Sequence, residues 1–341
     1  MEQERNGADN VDGEAAAAPV DATTTPGALT LRDVTLRDGL QDEGVVATTD
    51  KVALYEALVA AGVRDLELTS FVRPDRVPAM ADADELCHRT GTSPTANADD
   101  VPVRWGLVLN TRGAQRALAA GLRDLQFVVS VSERHNLENA GRSVADSFAA
   151  LREIVALAGT EGARVEITLA TAFGCPFEGP VPAGDVVRAA EASLAAGVAG
   201  IGLADTIGTA VPTEVRAQVE AVRGLAPSTP LGVHLHDTRG LAIANAFTAI
   251  EAGVDRIDGT VGGLGGCPFA PGASGNLAIE DLAHALEATG VSTGLDVDHL
   301  VRAAELACVL VGRPVASHVG VAGPRFRGTP HGRLRTIATD G

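Results

Sequence analysis

The sequence predicts an α/β fold, a TIM (β/α)8 barrel with one additional C-terminal helix and a disordered N-terminal extension. Three observations predict it. A phrase recurs in which a helical stretch ends in Ala-Gly and runs straight into a β-rich segment: AAGVRDLELTSFV at 60–72, AAGLRDLQFVVSV at 119–131, AAGVAGIGLADT at 195–206 and EAGVDRIDGTV at 251–261, with EGARVEITLA at 161–170 as a variant. Adding 31–36, 103–109 and 231–235 gives eight strand candidates separated by helical segments, the signature of eight βα units. The polar residues with chemical potential cluster at the ends of these strands, where such barrels carry their chemistry.

Taken in order, residues 1–27 (AAAAP, then TTTPG) are polar, Ala-rich and without pattern, and are expected to be disordered. The barrel domain is expected over 28–316. Within it Gly62, Gly121, Gly197 and Gly253 each fit the left-handed position that closes a helix before the chain enters a strand. Residues 294–313 read as a helix beyond the barrel, 317–341 as a C-terminal tail, and no second domain is expected. A doubly wound sheet is the alternative. Its dinucleotide form would want GxGxxG after an early strand, which neither Gly200-Ile-Gly202 nor Gly262-Gly-Leu-Gly265-Gly266 completes.

Composition narrows the function. Only 3% of the 341 residues are aromatic, so the core must be aliphatic. A formal charge of −17 argues against nucleic acid as a partner, because phosphate backbones need clustered Lys and Arg. No apolar run approaches the ~20 residues of a membrane span and no signal peptide opens the chain, so no membrane partner and a cytoplasmic location are expected. Arg325, Arg327, His331, Arg333 and Arg335 form a local basic patch, read as a solvated tail or as a contact for an anionic ligand or a neighbouring subunit. The four cysteines, at 87, 175, 267 and 308, include no CxxC and are expected to be reduced. Lys51 is the sole lysine and opens a helix after Thr49-Asp50. Carbon–carbon bond chemistry here would therefore draw on a metal rather than an iminium to take up negative charge.

The segment Val233-His234-Leu235-His236-Asp237 is the most informative. Side chains two apart on a strand point the same way, so His234 and His236 form a ready pair of metal ligands. A hard octahedral ion would also want carboxylate oxygen nearby. The competing reading is a polar strand end whose histidines only hydrogen-bond. Other strand ends contribute Thr35-Leu36-Arg37-Asp38-Gly39, Glu67 with Thr69, and Asp205-Thr206; after the eighth strand comes Gly262-Gly-Leu-Gly265-Gly266-Cys267-Pro268, leading to Gly275-Asn276 at the next helix start. Each has a plainer alternative. Asp38-Gly39 could be a turn, Asn276 a helix N-cap, Arg37 with Glu67 or Asp205 an ion pair, and Cys267 a small buried apolar residue.

The stretches TLRDGLQDE (35–43), LELTSFVRPDRVPAM (66–80), FGCPFEG (173–179), GLADTIGTAVP (202–212), VHLHDTRGLAIAN (233–245) and GGLGGCPFAPGASGNLAIEDL (262–282) closely resemble the 3-hydroxy-3-methylglutaryl-CoA (HMG-CoA) lyase family. That family belongs to a wider group of metal-dependent TIM-barrel enzymes with the isopropylmalate, homocitrate and citramalate synthases. The resemblance covers about residues 29–316. RDG and HxHD are shared across the group, whereas the Gly-rich loop with its cysteine and GASGN point to the lyase branch. It implies a divalent cation, Mg or Mn, held by Asp38, His234, His236 and Asn276, and a retro-Claisen cleavage of an acyl-CoA substrate to acetyl-CoA and a keto acid. It also implies that Arg37 stabilises the enolate oxygen, that Cys267 acts as a general acid from a loop closing over substrate, and that Glu67 and Asp205 orient Arg37 and the histidines or relay protons. The protein is expected to be a homo-oligomer, a dimer.

Two departures bear on the substrate. After RDGLQ the chain has Asp42-Glu43-Gly44, where many relatives have Asn-Glu and then a basic residue, and SVSERHNLENAGR (130–142) lacks the lysines many relatives carry. Both remove or oppose positive charge where CoA or the acyl group would approach, with His135 and Asn136 as the available polar substitutes. The rival enzymatic reading is a Claisen-condensing acyltransferase joining acetyl-CoA to a 2-oxo acid, disfavoured by the loop cysteine and the short stretch after the match. A degenerate barrel acting as a scaffold is disfavoured because every proposed ligand is present.

Overall fold

The computed structural model describes residues 29–91, 101–266, 275–323 and 325. Eight parallel strands close into a barrel in sequence order: β1 Thr30–Asp33, β2 Asp65–Ser70, β3 Val103–Val108, β4 Asp124–Ser130, β5 Arg164–Ala170, β6 Gly200–Asp205, β7 Leu231–Leu235 and β8 Arg256–Gly259, with β8 pairing back on β1. The connecting and flanking helices are α1 Thr48–Ala60, α2 Ala83–Gly91, α3 Thr111–Ala119, α4 Glu133–Ala140, α5 Val144–Thr160, α6 Ala183–Ala196, α7 Pro212–Leu225, α8 Ala242–Glu251 and α9 Ile279–Ala288. The helix expected over 294–313 is α10, Val297–Val311. A short α11, His318–Ala322, follows within the stretch the sequence reads as tail. No described helix is long and apolar enough to cross a membrane.

Period-two alternation sorts each strand's residues. Leu66, Leu68, Leu125, Phe127, Val165, Ile167, Leu169, Ile201, Leu203, Leu231, Val233 and Ile257 belong to the buried aliphatic core with the helices, as the poverty of aromatic residues requires. The intervening residues point inward and are polar or glycine. Arg32 of β1 donates to Asp65 (2.5 Å), Glu166 (3.0 Å) and Gln126 (3.3 Å), and lies 4.1 Å over the ring of Trp105. Arg256 of β8 donates to Glu166 (2.6 Å) and Asp258 (2.7 Å). Room for Arg256 comes from glycines on β7 and β6. A Cβ at Gly232 would sit 2.7 Å from its guanidinium carbon, and one at Gly202 would sit 3.1 Å from Nη2. The barrel floor is therefore an ion network rather than an aliphatic plug, and it lies directly beneath the histidines of β7.

All four glycines read as helix-to-strand closures have positive φ: Gly62 (93°), Gly121 (89°), Gly197 (83°) and Gly253 (95°). Lys51 is buried, its ammonium donating to the Ala79 carbonyl and to Asp82, both at 2.6 Å. It ties α1 to the segment after β2.

Candidate active site

Asp38, His234 and His236 meet at the C-terminal mouth of the barrel, their ligand atoms within 4.8 Å of one another, and all three are buried. His234 lies on β7, and His236 follows the strand's last residue, where it forms a bridge with Asn276. The two imidazoles therefore stay on one side of the chain, 5.0 Å apart between ring centroids. Each presents Nε2 to Asp38, at 3.8 Å from Oδ2. The Nδ1 atoms face the other way: that of His236 donates to the carbonyl of Asp205 (2.9 Å), and that of His234 lies 3.7 Å from Asp258 Oδ2.

Adjacent Arg37 and Asp38 cannot both face the axis from a regular strand, and the structure resolves the conflict with a single π-helical turn, Thr35–Gly39, immediately after β1. Asp33, the last residue of β1, accepts from the Thr35 amide (2.9 Å) and hydroxyl (2.8 Å) and so starts that turn. Arg37 then donates through Nε to Glu67 and through Nη1 to Asp38, an arrangement that leaves Nη2 as the donor for an incoming anion.

Asn276 is placed by backbone pairing rather than as a helix N-cap, since the cap of α9 is Ala278. The Leu277 amide donates to the Leu235 carbonyl (2.9 Å) and the Asp237 amide to the Gly275 carbonyl (3.0 Å), which fastens the segment against β7. Asn276 Nδ2 donates to Asp38 Oδ2 (2.7 Å) and the Leu264 carbonyl (2.9 Å). Its Oδ1 and His236 Nε2 are buried without a hydrogen-bond partner among the described residues. Buried polar atoms are nearly always paired. Two orphaned acceptors beside a carboxylate and a second imidazole could hold a divalent cation.

The electrostatics agree. Burial works against ionisation of Asp38, but Arg37, His234, His236 and the Asn276 hydrogen bond outweigh it and hold the carboxyl at about 2. Burial, then the adjacent His234, pushes His236 down to about 4, so this imidazole is neutral and able to ligate at neutral pH. His234 moves the other way, because Asp258 and Asp38 more than offset its burial.

Glu67 pairs with Arg37, a contact common to the orienting role and to the plain ion pair. Asp205 reaches His236 through its backbone carbonyl, while its carboxylate accepts from the amides of Thr209 and Ala210 (both 2.9 Å) and shapes the turn after β6. Cys267 lies outside the described residues, as do Arg327, His331, Arg333 and Arg335 of the basic patch. The loop that carries Cys267 has glycines for close approach as much as for freedom: a Cβ at Gly275 would fall 1.9 Å from the Gly263 carbonyl oxygen, and one at Gly265 would fall 2.5 Å from Asn276 Nδ2. At the rim, Glu43 pairs with Arg313 (3.0 Å), and burial followed by the neighbouring Asp38 raises the Asp42 carboxyl. His135 and Asn136 are turned inward, bonding Ser130 and, for Asn136, the Arg142 carbonyl and Ser147 as well.

Two residues missed in the sequence reading hold this site from below. Asp258 backs His234; the available signal was Arg256 and Asp258 sharing one face of an otherwise apolar strand. Glu280, fully buried in the first turn of α9, accepts from the Gly262 amide (2.8 Å) at the root of the Gly-rich loop. Burial pushes its carboxyl from the ordinary 4.5 to about 7. Between those values the native state holds a proton that the unfolded state has lost, so this carboxyl costs stability as pH rises, by about 3 kcal/mol at the upper end. Glu280→Gln keeps the acceptor without the charge. Its stability gain over the wild type should grow by about 2–3 kcal/mol between pH 5 and pH 8 in urea unfolding; an equal difference at the two pH values would refute a neutral buried carboxyl.

The HMGL-like family model matches residues 28–307. The chain is 40% identical over 304 residues to the (R)-citramalyl-CoA lyase of Chloroflexus aurantiacus, covering 88% of this chain and 96% of that protein. It is 37% identical over 293 residues to the hydroxymethylglutaryl-CoA lyase YngG of Bacillus subtilis, covering 86% and 96%. Among solved structures, an HMG-CoA lyase from Acinetobacter baumannii in complex with coenzyme A and 3-methylmalate superposes with a TM-score of 0.83 at 38% identity, covering 91% of this chain and all of that one.

Proposed function

The chain belongs to the HMGL-like family, and from that premise we propose that it is a metal-dependent carbon–carbon lyase that cleaves a 3-hydroxy-3-methylacyl-CoA to acetyl-CoA and a keto acid. The observation that carries this reading is the buried cluster of Asp38, His234, His236 and Asn276, two of whose acceptor atoms are unpartnered, with Arg37 beside it. The acyl group is 3-hydroxy-3-methylglutaryl or its shorter analogue citramalyl, the substrates in the names of the two relatives. The reaction is the same in both: the 3-hydroxyl loses its proton, C3 becomes a carbonyl as the C2–C3 bond breaks, and the electron pair leaves as a thioester enolate.

Asp38, His234, His236 and Asn276 would hold Mg or Mn, which when bound supplies Lewis acidity at the substrate hydroxyl and a template for the acid. Arg37, held through Nε by Glu67 and through Nη1 by Asp38, offers Nη2 to the thioester oxygen, where charge develops, without reorganising. Burial of the whole cluster strengthens that interaction by excluding water. Cys267 would deliver a proton to C2 of the enolate, giving the methyl group of acetyl-CoA. Its loop is rooted at one end by Glu280 at Gly262 and the Thr35 hydroxyl at the Val261 amide (2.9 Å), and at the other by the bond from the Asp237 amide to the Gly275 carbonyl (3.0 Å), firm ends between which it would close.

The test is acetyl-CoA release from HMG-CoA and from citramalyl-CoA with Mg or Mn, with acetoacetate or pyruvate identified as the coproduct. Metal-dependent release from at least one thioester is expected, and the ratio of kcat/KM values assigns the acyl group. Turnover of neither, with condensation of acetyl-CoA and a 2-oxo acid in its place, would overturn the lyase reading.

A further inference from the structure

We infer that Asp258 is a positioning residue that fixes the tautomer and orientation of His234 for metal binding. The inference rests on the metal-site reading of the cluster above it.

Asp258 is 2% exposed and sits two residues beyond Arg256 on β8, so both side chains enter the barrel. Its two oxygens have different partners. Oδ1 accepts from Arg256 Nε at 2.7 Å, and Oδ2 faces His234 Nδ1 at 3.7 Å. A guanidinium can only donate, so the first oxygen is committed to Arg256 and the second is left to the imidazole. Arg256 is itself immobilised: Nη1 donates to Glu166, which also takes Arg32, which in turn pairs with Asp65. Two arginines face three carboxylates in this set. The set carries one net negative charge, and Asp258 is the member that faces the histidine, where a proton on Nδ1 would be drawn.

The comparison with His236 gives the same tautomer. There Nδ1 must donate, because its partner is a carbonyl oxygen, and Nε2 carries the lone pair towards Asp38. A proton on His234 Nδ1, facing the Asp258 carboxylate at 3.7 Å, likewise leaves the second imidazole's Nε2 lone pair pointing to Asp38. Two ligands of one tautomer, one set by a backbone carbonyl and one by a side chain, leave only the second open to substitution. A carboxylate behind a ligating histidine both orients the ring and raises its basicity.

Asp258→Asn separates this role from simple pairing with Arg256. The amide oxygen still accepts from Arg256, which leaves the NH2 group facing His234 Nδ1. That donor favours the tautomer protonated on Nε2, the nitrogen needed for the metal. Mn(II) titration followed by electron paramagnetic resonance should show the Kd weakened by about 10–100-fold. Glu166→Gln, which also removes a carboxylate partner of Arg256 but does not face His234, should lower the thermal midpoint and leave the Kd within about twofold of wild type. Should Asp258→Asn fail to fold, 15N NMR of histidine-labelled, Mg-loaded wild type decides, with His234 expected to be protonated on Nδ1 and not on Nε2. Mn(II) binding by Asp258→Asn as tight as wild type, or a proton on His234 Nε2, would overturn the inference while leaving the metal site intact. A wild type that binds no Mn(II) would overturn both.

Discussion

Asp38→Asn should weaken Mn(II) binding by at least about 100-fold and lower thioester turnover by at least as much, the outer range for loss of a mere supporting partner being about that size. The charge balance sets the expectation. Arg37, Glu67 and Asp38 together carry one net negative charge in a buried site, with His236 neutral at physiological pH. A divalent cation entering the wild type leaves the site at one positive charge; in the variant it leaves two, without water to screen them. The shape barely changes, because asparagine can still accept from Arg37. Since Asp38 is held at about 2, the carboxylate is present at any working pH, and a rise in pH should not restore the variant. Titration of Mn(II) into both proteins, with acetyl-CoA release measured on the same samples, checks this. Wild-type affinity in the variant would remove Asp38 from the ligand set.

Arg37→Met should behave in the opposite way towards the metal. Turnover should fall by about 10²–10³-fold through kcat, with little change in KM, the pattern of an interaction made only in the transition state. Mn(II) affinity should be kept or increased, because Asp38 and Glu67 lose their counter-ion. Stability should suffer without metal: Glu67 is 1% exposed, and an unpaired buried carboxylate costs about 3–5 kcal/mol. Arg37→Lys should recover only part of the activity, since a point charge cannot span Glu67 and Asp38 and still present a third donor. Thermal unfolding with and without Mn(II), read beside the kinetic constants, distinguishes the effects. Loss of activity by KM alone would make Arg37 a substrate-binding group rather than one acting on the enolate.

What was legible in the chain follows from periodicity. The Ala-Gly phrases give the helix-to-strand closures and hence the eight strands, because a left-handed closure and a period of two are local properties. His234 and His236 were readable as a pair for the same reason. Asn276 was visible only as a residue near a helix start; its contact with Asp38 spans 238 positions and depends on the bridge to His236. Arg37 and Asp38 posed a conflict that a strand cannot solve, and the π-helical turn that solves it is organised by Asp33 through Thr35, a local motif with no strong sequence signature. Asp205 was read for its side chain, whereas its carbonyl is what touches His236.

The sequence by itself determined the barrel, the pairing of His234 and His236 on one side of the chain and the rim on which the site lies, because each is written in spacing along one strand or one turn. Only the tertiary structure decided which carboxylates stand behind the site. Asp258 under His234 and Glu280 under Gly262 each act across strands or helices far apart in the chain, and their roles arise from burial. Whether a buried carboxylate stays charged beside an arginine, as Asp258 does, or is driven towards neutrality, as Glu280 is, depends on the partners that closure of the barrel brings within a few ångströms.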